Sequence, residues 1–391
     1  MRKLFTFIVL LLFLVSCTQT TIVSEKQVKK TEEKVEEVKE TPVQENLVSY
    51  KIGVMLPLTG DLAHLGQPSS NAVKLAVDDM NEKNGVKGHQ IELVIEDSKC
   101  NPKEASTVVN KLISVDKVIA IIGEFCSSAS LAAIPVAEQS KIPMISPASS
   151  NYKISDSGDY IFRTFPSDAL QGKEGARIAH NLHYDKVALF YINNDYGVGL
   201  KEVFSNKIKE LGSEVVIVEQ HNQGDTDFKT QLAKIKAAKP DGIYLITYPA
   251  EGAILLKQAK ELAIKVPVLG TETLKDESFL KLASGSAEGI MMTFPSLDKS
   301  SNEYVNFENR YKEIYGNDPA AYSPEAYDAA VVLMKALEIS DGSSTGIKNA
   351  LYTIQGHKGA SGEISFDEKG DVEKPYSLYK VEKGKYVEAN Q

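Results

Sequence analysis

Apolar positions along this chain fall into two alternating rhythms. From residue 50 onward, short runs dense in Val, Ile and Leu are separated by longer stretches whose apolar residues recur three or four apart. The first run, 51–56, precedes a stretch over 66–81 in which Ala72, Leu75, Ala76 and Met80 share one helical face. Strand-like runs follow at 91–95, 118–122 and 143–146, with helical patterns at 102–114 and 127–139 between them. The rhythm then restarts. Strands at 187–191, 214–218, 243–246 and 266–269 interleave with helices at 199–211, 228–238 and 251–262, and a further strand falls at 289–293. Helices at 303–315 and 324–339 come next, and 362–387 alternates in β fashion. Near-continuous apolar strands joined by helices predict parallel sheets covered on both faces. Two such series predict an α/β chain of two similar, doubly wound lobes.

The N-terminus obeys neither rhythm. Arg2 and Lys3 precede an apolar run over 4–14, broken only by Thr6. That length suits the apolar segment of a signal peptide and is short of the roughly 20 residues a membrane-spanning helix needs. The run ends in Leu14-Val15-Ser16-Cys17, the pattern of a lipobox, so residues 1–16 read as a signal peptide and Cys17 as a lipidation site. The competing reading is an ordinary signal peptide with an incidental cysteine. Residues 17–47 carry the charged block 29–40 and almost no aromatic content. Such a segment buries too little surface to offset its ordering entropy and reads as a solvated, disordered tether.

Composition narrows the partners. A net charge of −9 without a basic stripe argues against nucleic acid. With Cys17 set aside, Cys100 and Cys126 remain, and an even pair in an exported chain reads as a disulfide. A metal pair and a reactive thiol are the alternatives; no His or third Cys stands nearby in sequence.

Candidate chemistry sits in the strand-to-helix turns, because parallel α/β sheets bind ligands beyond the C-terminal ends of their strands. Residues 123–128 (Gly-Glu-Phe-Cys-Ser-Ser) and 146–151 (Ser-Pro-Ala-Ser-Ser-Asn) are rich in hydroxyls. Free N–H groups at a helix start, with serines beside them, suit a carboxylate. Ser127 and Ser149 acting only as helix N-caps is the alternative. Catalytic motifs do not assemble. Residues 342–346 match G-x-S-x-G but follow a predicted helix and an Asp341-Gly342 turn, so they read as a loop. His180 and His183 lie three apart on a predicted helix without a third ligand, which reads as a solvated face. Gly197-Val198-Gly199 lacks the rest of a dinucleotide fingerprint, and no Walker A sequence is present. The expectation is a protein that is not an enzyme, with no metal and no cofactor.

Taken in order, several segments resemble one family. They are 52–60 (Ile-Gly-Val-Met-Leu-Pro-Leu-Thr-Gly) with Leu65-Gly66, 97–102, 122–128, 142–147, Asn194-Asp195-Tyr196-Gly197, and 285–289 with the strand after it. The chain resembles, from about residue 50 to its end, the leucine/isoleucine/valine-binding proteins, solute receptors of branched-chain amino-acid ABC transporters. The two cysteines fall where family members carry a disulfide. The resemblance implies the type I periplasmic-binding-protein fold, with lobes 48–167 plus 296–373 and 168–295 plus 374–391 joined by a multi-strand hinge near 166–167, 293–295 and 373–375. It implies that Ser127 and Ser150 grip a ligand α-carboxylate, while the Ala148 carbonyl and the Glu272 carboxylate hold its α-ammonium. Tyr196 and Tyr248 correspond to aromatic positions of the second lobe. Leu65, Phe125 and Tyr322 correspond to the wall around the ligand side chain. Two departures bear on the ligand: Leu65 replaces an aromatic ring and Ser150 replaces a threonine found in other members.

The resemblance thus implies an extracytoplasmic, lipid-anchored protein that captures a branched-chain or other apolar amino acid and delivers it to an ABC permease. The alternatives are a receptor for an amide or urea-type ligand and a ligand-sensing subunit of a signalling system. Pairing both charges of a zwitterion at once is what makes taking it out of water favourable.

Overall fold

The computed structural model describes residues 49–389. The expected signal peptide, Cys17 and the tether lie outside these residues. The first series of elements is β1 (Tyr50–Leu56), α1 (Ala63–Glu82), β2 (Ile91–Asp97), α2 (Pro102–Ser114), β3 (Ala120–Gly123), α3 (Ser127–Gln139), β4 (Met144–Ser146) and β5 (Ile161–Arg163). Its strands form one sheet in the order β2-β1-β3-β4-β5, and every pairing is parallel. The four residues of β3 are all buried, as a central parallel strand under helices on both faces requires.

The second series is α4 (Asp168–Asn181), β6 (Lys186–Ile192), α5 (Asp195–Glu210), β7 (Glu214–His221), α6 (Lys229–Ala238), β8 (Gly242–Ile246), α7 (Pro249–Glu261), β9 (Val268–Gly270), α8 (Glu277–Ala283) and β10 (Met291–Pro295). The chain then returns to the first lobe through α9 (Asn302–Tyr315), α10 (Ser323–Ile339) and α11 (Ser344–Leu351), with α10 packed along α1. A short hairpin of β11 (His357–Gly359) and β12 (Gly362–Ile364) follows. The chain crosses back once more into β13 (Tyr376–Glu382) and β14 (Lys385–Ala389), which complete a seven-stranded sheet, β14-β13-β10-β9-β8-β6-β7. Each lobe therefore has its own sheet, and the chain passes between the lobes after β5, after β10 and before β13.

Alternation along the strands divides the core. Val187, Leu189 and Tyr191 of β6 face one hydrophobic cluster, and Ala188 and Phe190 between them face another beneath α6, α7 and α8. The termini of the helices follow the sequence. Asn101 accepts hydrogen bonds from the N–H groups of Lys103 and Glu104 at the start of α2, with Pro102 as its first residue. Gly66 lets α1 pass the preceding turn: a Cβ there would lie 1.9 Å from the Pro57 carbonyl oxygen. Helix α1 accordingly begins three residues earlier than periodicity predicts and carries Pro68 within it.

Three expectations and one alternative need correction. The second sheet is mixed, because β13 and β14 pair antiparallel with β10 and with each other. The 342–346 segment is not a plain loop. Ser343 caps α11, accepting from the Gly346 N–H at 3.0 Å, and this eight-residue helix is too short for its periodicity to stand out. His180 and His183 do not share a helical face. Helix α4 ends at Asn181, His183 takes a φ of 60°, and His180 instead meets the Ser213 hydroxyl at 3.2 Å. Nor are Ser127 and Ser149 N-caps: Cys126 is the cap residue of α3, Ser127 is its first residue, and the Ser149 hydroxyl donates to the Glu124 carbonyl at 3.1 Å.

Candidate functional site

The strand ends of the two sheets face each other across one small cavity. All nine sequence candidates line it: Leu65, Phe125, Ser127, Ala148, Ser150, Tyr196, Tyr248, Glu272 and Tyr322. Cys126, expected only as a disulfide partner, lines it too, as do Leu62, Pro249 and Thr273, which were not singled out from the sequence. The turn after β3 supplies Phe125 to Ser127, the turn after β4 supplies Ala148 and Ser150, and the first helical residues after β1 supply Leu65. The second lobe contributes Tyr196 at the start of α5, Tyr248 before α7, and Glu272 after β9.

One end of the cavity offers donors, which suit an anion. Ser127 opens α3, where N–H groups have no intrahelical acceptor, and its hydroxyl accepts from the Asn151 N–H at 3.2 Å. The loop 146–151 is held from below. The Ser146 hydroxyl donates to the Glu124 carbonyl at 2.5 Å and accepts from the Ser149 N–H at 2.9 Å. Arg163, wholly buried, donates to both carboxylate oxygens of Asp371 at 2.6 and 2.8 Å and to the Asn151 carbonyl at 3.0 Å. That charge-paired brace fixes the backbone of the turn. Cys100 and Cys126 are joined, with Cα atoms 5.4 Å apart, which ties the β3–α3 turn to the start of α2. Glu124, missed from the sequence, is fully buried and pushed up to about 7 by that burial. Hydrogen bonds from Ser98 and from the Cys126 N–H oppose the shift.

The other end is acceptor-rich and suits a cation. Glu272 is 3% exposed and accepts from the Gln171 amide and from the Tyr196 hydroxyl, the latter at 3.1 Å. Burial raises its carboxyl to about 7 against the pull of those donors. Behind it stands Asp168, the first residue of α4, whose N–H donates to the Ser150 carbonyl at 2.7 Å. Its carboxyl is buried with the Ser150 side chain as a hydrogen-bonding neighbour, and the Gln171 Oε1 is buried without a protein hydrogen-bond partner. Burial, and then the neighbouring Glu272 charge, push Asp168 well above the usual carboxylate range. Buried acceptors in excess of donors favour a ligand that brings donors and positive charge. No signal in the sequence marked Asp168 or Gln171, because β5, the strand before α4, is only three residues long and does not stand out as an apolar run.

Rings and aliphatic groups close the remaining walls. Tyr196 and Tyr248 stack with centroids 5.9 Å apart and an interplanar angle of 7°, and the Asn194 amide donates to the Tyr248 hydroxyl at 3.2 Å. Phe125 and Tyr322 meet edge to face at 5.0 Å, beside Leu62 and Leu65. The lobes meet around the cavity. The Ser128 hydroxyl accepts from the Asp195 N–H at 3.0 Å, and the Tyr152 hydroxyl donates to Glu202 at 2.9 Å. Among the described residues, no group of three or more His, Cys, Asp or Glu could hold a metal ion, and no helix is long and apolar enough to cross a membrane.

A cavity between two α/β lobes, with polar ends and an apolar wall, defines a two-lobed small-molecule receptor. Comparison with known proteins agrees with that class. The profile of the periplasmic binding protein family matches residues 49–385. The chain belongs to this family, within the group of leucine/isoleucine/valine-binding proteins. A solved leucine-binding protein from Thermotoga maritima MSB8 is 33% identical, with a TM-score of 0.81, covering 87% of this chain and 98% of its own. A branched-chain amino acid transporter substrate-binding protein from Streptococcus pneumoniae, solved in complex with isoleucine, is 29% identical, with a TM-score of 0.79 and coverage of 88% and 100%. The leucine-, isoleucine-, valine-, threonine- and alanine-binding protein of Pseudomonas aeruginosa is 28% identical over 83% of this chain and 87% of its own. A more distant solute-binding protein from Rhodopseudomonas palustris BisB5, solved with 3,4-dihydroxybenzoic acid, is 26% identical with a TM-score of 0.77, covering 87% and 96%.

Proposed function

We propose that this chain is an extracytoplasmic solute receptor that closes its two lobes on an amino acid with an apolar side chain and hands it to an ABC transporter permease. The observation that carries the reading is the pairing of two opposite ends in one cavity. Ser127 and Ser150 supply donors for a carboxylate, and Glu272 with the Ala148 carbonyl supplies acceptors for an ammonium. A zwitterion leaving water then has both charges matched at once. Leu62, Leu65, Phe125 and Tyr322 supply the apolar surface for its side chain. The amino acids named for the relatives from Thermotoga maritima, Streptococcus pneumoniae and Pseudomonas aeruginosa support the same class.

In this reading residues 1–16 are a signal peptide, Cys17 carries a lipid anchor, and 17–47 form a tether. Residues 48–167 with 296–373 make the first lobe and 168–295 with 374–391 the second. The open form holds the ligand through the first lobe. Closure adds Tyr196, Tyr248 and Glu272, excludes water and presents the closed surface to the permease. A ligand drives that step only through its extra affinity for the closed form.

Thermal unfolding of the full chain, purified in detergent and stripped of ligand, tests the reading. Leucine, isoleucine and valine, then other amino acids, amides, urea and aromatic acids, are each added at about 1 mM. A ligand present at about 100 times its Kd stabilises by about 2.7 kcal/mol. A shift with branched-chain amino acids supports the assignment. A shift confined to amides, urea or aromatic acids keeps the receptor class and discards the amino acid.

A further inference from the structure

The lobes are joined on two sides of the cavity by different chemistry. On one side the contacts are neutral or singly charged hydrogen bonds: Ser128 accepts from α5, and Asn151 and Tyr152 donate to it. On the other, His64, the second residue of α1 in the first lobe, reaches the segment after Glu272 in the second. Its Nε2 lies 3.3 Å from Asp276 Oδ1 and 3.1 Å from the Ser278 hydroxyl, and its Nδ1 lies 3.0 Å from the Asp61 carbonyl oxygen.

Partner identity bears on the protonation state. The Asp61 carbonyl can only accept, so Nδ1 carries a proton. Nε2 faces the Asp276 carboxylate, which accepts from the imidazolium, and the Ser278 hydroxyl, which can donate to the neutral ring, so the ion pair forms when the ring is protonated. Asp276 is prepared for this partner: its carboxylate also accepts from the Ser278 N–H at 2.8 Å and from the Ser278 hydroxyl. Both residues border the site, since Leu62 and Leu65 flank His64 along the chain while Glu272 and Thr273 precede Asp276, and all four line the cavity.

We propose that His64 is a latch residue for the receptor function inferred above, and that its protonation favours the closed, ligand-holding arrangement by pairing with Asp276 across the lobes. The hydrogen bond to Asp276 raises the imidazole above its ordinary 6.5 while partial burial opposes it. Asp276 is buried, which pushes it up, yet the His64 and Ser278 hydrogen bonds hold it below its ordinary range. When the lobes open, His64 loses Asp276 and returns to the range of a surface histidine, about 6.5. The closed form therefore binds the proton more tightly. Its contribution to closure is complete below about 6.5 and is lost as pH rises through the higher closed-form value.

Other titrating groups are separable. Lys275, held down to about 8 by burial, packs between the Phe294 and Tyr379 rings at 4.2 Å from each, so all its ring contacts lie within the second lobe. Glu277 adjoins Asp276 in sequence and borders the same cleft as His64. Glu272 titrates near 7 and works in the opposite sense, because an ammonium needs its ionised form.

The test is leucine binding by calorimetry to the full chain and its His64→Gln variant, from pH 5.5 to 8.5, read as the ratio of the two affinities. The ratio cancels the Glu272 titration common to both. Wild type is expected to bind about two- to fivefold more tightly at pH 5.5, as a partly exposed ion pair allows, with the advantage fading by pH 8.5. Asp276→Asn should erase the same pH-dependent advantage, and adding it to His64→Gln should change nothing further. A ratio independent of pH, including a uniform loss of affinity, overturns the latch while leaving the receptor reading intact. No heat with leucine at any pH overturns both.

Discussion

Replacing Glu272 by glutamine should move binding and stability in opposite directions. The substitution keeps the shape and the acceptor oxygen for the Gln171 and Tyr196 hydrogen bonds but removes the charge. In the ligand-free fold burial raises this carboxyl from its ordinary 4.5 to about 7. An acid with a raised folded-state value destabilises the fold once pH exceeds the unfolded value, and the penalty levels off above the folded one. At 1.36 kcal/mol per unit, it is about 3 kcal/mol at pH 8 and less than about 1 kcal/mol at pH 5. Glu272→Gln should therefore unfold later than wild type without ligand, by an amount that shrinks on acidification. Leucine binding should suffer instead, since an ammonium loses its buried counter-charge: about 2–4 kcal/mol, or roughly 30- to 800-fold in Kd. Wild-type affinity should fall by up to about tenfold for each unit of pH below 7, and the variant should lose that dependence. Denaturant unfolding at pH 5 and 8, paired with calorimetry, reads both effects. A variant that binds leucine within threefold of wild type, or that is less stable at pH 8, refutes the placement of the ammonium at Glu272.

Other perturbations probe separate parts of the molecule. Gly199 packs on Asn151 across the lobes, and a Cβ there would fall 2.5 Å from its side-chain nitrogen. Gly199→Ala should thus weaken leucine binding several-fold while leaving the ligand-free melting point nearly unchanged; equal affinity would show that this contact is not part of closure. Asp371→Ala strands the wholly buried Arg163 and should destabilise the fold by about 3–5 kcal/mol in denaturant titration. Reducing the Cys100–Cys126 bond, which closes a 26-residue separation, should lower stability by about 3.5 kcal/mol, seen as a reductant-dependent drop in the unfolding midpoint.

Much of this protein is legible along the chain because its signals are local. Continuous apolar strands such as Ile121-Ile122 and Leu189-Phe190 need cover on both faces, so their alternation with helices specifies parallel sheets before any contact is known. Serines grouped in two strand-to-helix turns mark one end of the cavity, because in such sheets these turns share an edge. Even the second-lobe candidates, Tyr196, Tyr248 and Glu272, sit in turns of that kind. What the chain does not display is whatever depends on residues distant in sequence. Asp168 and Gln171 look like ordinary residues of the first turns of a helix, and only packing of α4 against the segment after β9 makes them part of an acceptor cluster. Arg163 gains its role from Asp371, 208 positions away. His64 meets Asp276 and Ser278 only because the lobes fold against each other. Local patterning determined the layers and the strand ends; closure between lobes decided which groups face one another, since contact across a cleft has no period for a sequence to show.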